Sequence, residues 1–137
     1  MAIRHFTELI CWQLADQLET DVIQLIKSSP ADRHFAFRDE LLTALSSVPS
    51  NLAEGFTRKS PREECRFFDI ALASLSEVQA RLGTGIKLKY FTAAEVAPLL
   101  QLGRRIFATA IGYKRHQQRY IRENPPPVRP RPPRRTK

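Results

Sequence analysis

Apolar residues recur every three or four positions through four long stretches of this chain, and that period commits it to helices that each bury one face. The first stretch runs from Thr7 to Lys27, with Cys11, Leu14, Leu18, Val22 and Leu25 in step. Ser28-Ser29-Pro30 ends it, because proline cannot continue a helix and restricts the residue before it. The second begins at Asp32 or His34 and reaches Arg58, with Phe37, Leu41, Leu45, Val48, Leu52 and Phe56 on one stripe. Ser60-Pro61-Arg62-Glu63 opens the third as a capping box with proline at the first helical position. Its stripe is Phe68, Ala71, Leu75, Val78 and Leu82. Thr92 with Glu95 repeats the capping pattern and starts the fourth, whose stripe is Val96, Leu99, Gly103, Ile106, Ala110 and Tyr113.

Short connections between long helices favour antiparallel neighbours. Five glycines against ten prolines are too few for the tight turns of an all-β chain. The predicted fold class is therefore all-α: an antiparallel up-down four-helix bundle over residues 1–122, followed by an extended basic Pro/Arg-rich tail over 123–137. Six of the ten prolines fall in that tail, where no apolar period survives. Pro49 inside the second stretch is expected to kink or interrupt the helix, with Ser46, Ser47, Ser50 and Asn51 at hand to bond the freed backbone groups.

Cys11 and Cys65, the only cysteines, sit among apolar neighbours and read as packed, reduced thiols. No signal-peptide pattern opens the chain and no apolar run is long enough to span a membrane, so a cytoplasmic location is expected, with no membrane partner.

The charge is divided unevenly. Residues 1–91 hold 11 basic and 12 acidic side chains, whereas residues 92–137 hold 11 basic and only 2 acidic ones. At about 100° per residue, Arg104, Arg115, Arg119 and Arg122 fall within roughly 60° of one another on the fourth helix, with Lys114 flanking them. Arg129 and Arg131 continue the positive run into the tail. An arginine stripe leading into an arginine-proline tail is the footprint of a protein that binds the nucleic-acid backbone, RNA or DNA, without reading bases. The alternative is a protein–protein scaffold whose tail docks a partner. Pro127-Val128-Arg129-Pro130 has the PxxP spacing that aromatic-lined grooves accept.

Catalytic signatures are missing. His5, His34 and His116 fit no zinc-ligand spacing, and neither a glycine-rich phosphate loop nor a GxSxG elbow occurs. The spaced Arg–His pair of small helical HEPN-type ribonucleases is also absent: Arg104 and Arg105 lie too far before His116, and Arg115 adjoins it. Glu54, Glu63, Glu64 and Glu77 are the best carboxylate candidates, but carboxylates alone are usually surface groups or partners of arginine. The chain is expected not to be an enzyme and to need no cofactor.

Ser47-Val48-Pro49-Ser50-Asn51-Leu52-Ala53-Glu54-Gly55, followed by Arg58, Ser60 and Glu64, resembles the signature of the bacterial four-helix bundle family of ribosomal intervening-sequence proteins. Phe67 to Ala71, Ser74 to Glu77, and the opening Phe6, Leu9 and Trp12 are also similar, so the likeness spans residues 6 to 112. It singles out Pro49, Asn51, Glu54, Gly55 and Arg58 as signature residues. Ala73 stands where the family usually has glycine, a change expected to alter close helix packing, and the tail lies outside the pattern. The resemblance implies an antiparallel four-helix bundle, a homopentamer and no established catalysis. It also implies a likeness to the accessory variability protein of diversity-generating retroelements, a basic pentameric bundle that binds nucleic acid and a reverse transcriptase. Off-stripe Ile10, Trp12, Phe35 and Phe67 would leave apolar patches for such an oligomer to cover.

Overall fold

A computed structural model describes residues 2–136, and they form four α-helices. These are α1 (Ile10–Lys27), α2 (Phe35–Thr57), α3 (Pro61–Lys87) and α4 (Ala93–Glu123). Short 3-10 turns, Phe6–Glu8 and Pro30–Arg33, precede α1 and α2. The first stretch therefore begins as a separate turn, closed by a capping box between His5 and Glu8, and the second starts at Phe35 rather than Asp32. Thr92 and Glu95 form the capping box expected at α4, with Glu95 N–H donating to Thr92 Oγ1 at 3.1 Å. The box expected at α3 does not form. Ser60 makes no side-chain cap bond, and Pro61, which has no N–H to satisfy, opens that helix.

The α3–α4 turn is closed by a Schellman arrangement. Tyr90 N–H donates to Gly85 O and Lys89 N–H to Ile86 O, both at 2.9 Å, while Lys89 takes φ 62°. Lysine thus occupies the left-handed position that glycine fills most cheaply. At the far end of α4, Asn124 N–H and Nδ2 both donate to Tyr120 O, and the following prolines stop the helix.

α1 and α3 each pack against both α2 and α4. Arg81 of α3 meets Glu40 of α2, Ser74 meets Ser47, and Phe67 lies under Gly55, so residues late in α3 meet residues early in α2. The same reversal links α3 to α4: Glu64 reaches Gln117, Gln79 lies at Gly103, and Gly85 faces Phe91 just before α4. The core is filled as the stripes of α2, α3 and α4 foretell, with Phe56 and Tyr113 at its margin. α1 is rotated slightly from its expected face. Ala15 and Ile26 are buried with Cys11, Leu18 and Val22, while Leu14 and Leu25 lie at the core margin.

Pro49 is buried and α2 passes through it without interruption, contrary to a break there. Nor do the neighbouring side chains rescue the carbonyl of Leu45, which Pro49 leaves without its usual donor. Ser46 donates to Thr43 O, and Asn51 Nδ2 donates to Ser47 O at 2.7 Å and Ser47 Oγ at 2.9 Å. Ser47 Oγ in turn shares a 2.8 Å hydrogen bond with Ser74 Oγ, which ties α2 to α3. Ala73 is exposed, so the alanine does not alter helix packing within the chain.

Two glycines mark close approaches. A Cβ at Gly55 would lie 3.0 Å from Phe67 Cβ and Phe68 Cδ1, and one at Gly85 only 2.3 Å from Phe91 Cδ2. Phe91 is buried and cannot swing away, so Gly85→Ala should lower stability by about 1–3 kcal/mol through overpacking. Gly83→Ala, two residues away with nothing within 4 Å, should instead raise it by about 0.5–1 kcal/mol through helix propensity. Urea denaturation of the two variants tests the opposite signs.

Candidate nucleic-acid interface

α4 is about 46 Å long at 1.5 Å per residue, and its burial is confined to the first two thirds. Its last fully buried residue is Ala110. Beyond it the helix is held by polar groups that meet the start of α3. Tyr113 Oη donates to Glu64 Oε1 at 2.7 Å, and Gln117 Nε2 donates to Glu64 Oε2 at 2.9 Å and to Tyr113 Oη at 3.1 Å. Lys114 Nζ pairs with Asp69, and Tyr113 stacks on buried Phe68 with centroids 5.2 Å apart. These contacts fix the rotation of α4 and so decide which face its cationic residues present.

Arg104, Arg115, Arg119 and Arg122 are all exposed. Arg104 Nη2 donates to Gln101 Oε1, and none of the four takes part in the ion pairs of the described residues. Arg105, which the stripe did not include, is exposed beside them. Lys114 is set apart, since it turns toward α3 and Asp69 rather than joining the arginines. Arg129 and Arg131 lie in the exposed segment after α4, which has no helix.

The signature residues serve the α2–α3 contact. Pro49 and Gly55 are buried, Asn51 joins the Ser47–Ser74 bridge, and Arg58 pairs with Glu54 while lying 4.7 Å over the Phe67 ring. Among the described residues no group of three or more His, Cys, Asp or Glu side chains is placed to hold a metal ion. Burial pushes the Cys11 thiol up to about 11 and raises Cys65 too, against the lowering influence of Lys114, so both stay protonated and unreactive at neutral pH.

Glu64, only 6% exposed, is the one buried charged residue among the described residues. Desolvation raises its pKa above the ordinary carboxylate range, with the Tyr113 hydrogen bond opposing that shift. Tyr113 is itself raised, chiefly by burial and then by the Glu64 carboxylate, and remains a hydrogen-bond donor. An acid with a raised folded-state pKa gives stability that is present in full below its unfolded pKa and lost as pH rises through the folded value. The wild type should therefore gain stability relative to Glu64→Gln as pH falls from about 7 toward the ordinary glutamate value of about 4.3. Glutamine keeps the acceptor for Tyr113, and the Gln117 amide that flips to meet it gives up its own bond to Tyr113 Oη at both pH values. Parallel urea titrations at the two pH values measure the difference, and an unchanged gap would show that Glu64 titrates normally.

This geometry defines a class: a four-helix protein whose final helix is locked by a buried carboxylate and turns a free arginine face outward. The chain belongs to the 23S rRNA-intervening sequence protein family, whose model matches residues 7–111. Arg104 lies inside that match, whereas Arg115, Arg119, Arg122 and the tail lie beyond it. No curated protein matches the chain. Among the described residues, no helix is long and apolar enough to cross a membrane.

Proposed function

We propose that this protein is a non-enzymatic nucleic-acid-binding protein that grips the phosphate backbone through Arg104, Arg115, Arg119 and Arg122 and through the tail arginines Arg129 and Arg131. The carrying observation is that the four helix arginines are exposed and free of ion pairs among the described residues. Guanidinium groups held along one rigid face suit the regular spacing of phosphates, and neutralising those phosphates releases the counterions condensed on the nucleic acid. Membership in a family described by a ribosomal RNA insertion supports RNA as the ligand.

The working unit in this reading is a cytoplasmic homopentamer of antiparallel bundles. Family resemblance supports that assembly, as does the exposure of Ile10 (61%) and Phe35 (64%). Several basic protomers in one particle would multiply the positive field and the avidity. The same resemblance supports a reverse transcriptase as protein partner.

Fluorescence-anisotropy titration of labelled RNA against the full chain and a 1–122 truncation tests where the binding lies. The stripe predicts that the truncation binds, with a reduced but still negative dependence on salt. Loss of all binding with the tail would instead leave the bundle as a platform and favour a tail-docking scaffold.

A further inference from the structure

The arginine stripe does not end on a bare helix tip. Between the last turns of α4 and the first turn of α3 lie two adjoining hollows that share Arg62 and Ile121. The larger, about 590 Å³, opens toward Arg122 and Gln118. The smaller, about 260 Å³, is lined by Pro61, Tyr120 and Pro126 together with Ser60, Arg62 and Asn124, room for far more than one or two waters of about 30 Å³ each. Tyr120 is 52% exposed, and its chain neighbour Arg119 is exposed as well. Arg62, Arg119 and Arg122 enter none of the ion pairs of the described residues. A backbone grip alone makes no use of an aromatic ring that shares one hollow with Arg62 and adjoins another lined by Arg122. A ring flanked by cations is how single strands are held, phosphates on the arginines and a base face on the aromatic.

Building on the backbone-binding reading above, we infer that this end of the bundle selects single-stranded nucleic acid, with Tyr120 as the stacking platform for an unpaired base and Arg62 and Arg122 on the flanking phosphates. A duplex keeps its bases stacked on one another and offers none to the ring. Charge complementarity commits the hollow to a polyanion, and the aromatic ring commits it to one with free planar faces.

The test uses the full-length protein with labelled oligouridine, oligothymidine and a matching duplex, comparing wild type with Tyr120→Ala and Tyr120→Phe. Tyr120→Ala should weaken both single strands about ten-fold and leave the duplex unchanged, with the salt slope unaltered because no cation is removed. Tyr120→Phe should bind as wild type, since the ring and not the hydroxyl carries the contact. Equal weakening on single strands and duplex, or none on either, would overturn the inference while leaving backbone binding intact. Loss confined to oligouridine and shared by Tyr120→Phe would assign the hydroxyl to a ribose contact and overturn stacking. Failure of the wild type to bind any of the three probes would remove the backbone reading itself.

Discussion

Replacing Arg115, Arg119 and Arg122 together with alanine is expected to make RNA binding about 50-fold weaker at 0.15 M salt. The estimate follows from counterion release. Each phosphate contact to a single strand contributes about 0.7 to the slope of log affinity against log salt, so three lost contacts flatten that slope by about 2. The fold itself should be untouched, because all three side chains are exposed and make none of the ion pairs of the described residues. Lys114→Ala is the informative contrast. Its ammonium is engaged with Asp69, so it should perturb the α3–α4 contact more than the salt slope. A triple variant with a wild-type slope would place the ligand on another surface.

The largest stability effect is expected at Phe68. Its side chain is fully buried, stacks on Tyr113, and lies where Gly55 brings α2 against α3. Phe68→Ala should cost about 3–5 kcal/mol, a large fraction of the roughly 5–15 kcal/mol that holds such a domain together. The melting temperature should fall by about 10–20 °C. Ile70, two positions along α3 and partly exposed, should tolerate alanine within about 0.5 kcal/mol. A melting-temperature comparison of the two variants separates burial from mere hydrophobicity. Because Phe68 underlies Tyr113, the same substitution should also loosen the basic end of α4 before the rest of the bundle opens.

Much of this architecture is legible in the spacing of residues along the chain. The α3 stripe from Phe68 to Leu82 is buried throughout, because large apolar side chains at every third or fourth position have one place to go. α1 was harder. Its centre line passes through Ala15 and Ile26, and a small residue such as alanine adds little to an apolar pattern that Leu14 and Leu25 dominate. The cap of the first turn carries no standard capping signal, because histidine, not serine or threonine, accepts the bond there. Glu64 did leave a signal: it stands four residues before Phe68, on the apolar stripe. Its partners Tyr113 and Gln117 lie 49 and 53 residues away, and only the packing of α3 on α4 brings them together. The arginine face, being a local period, could be read directly. The withdrawal of Lys114 to Asp69 and the approach of Arg62 to Tyr120 are tertiary facts with no local trace.

The most direct measurement is the affinity of the full-length protein for a labelled single-stranded RNA across a series of salt concentrations. A grip by four arginines on α4 predicts a straight log–log plot with a slope near −3 or steeper. A flat plot, or no binding at low salt, would contradict the cationic face as the working surface and leave the tail-docking scaffold in its place.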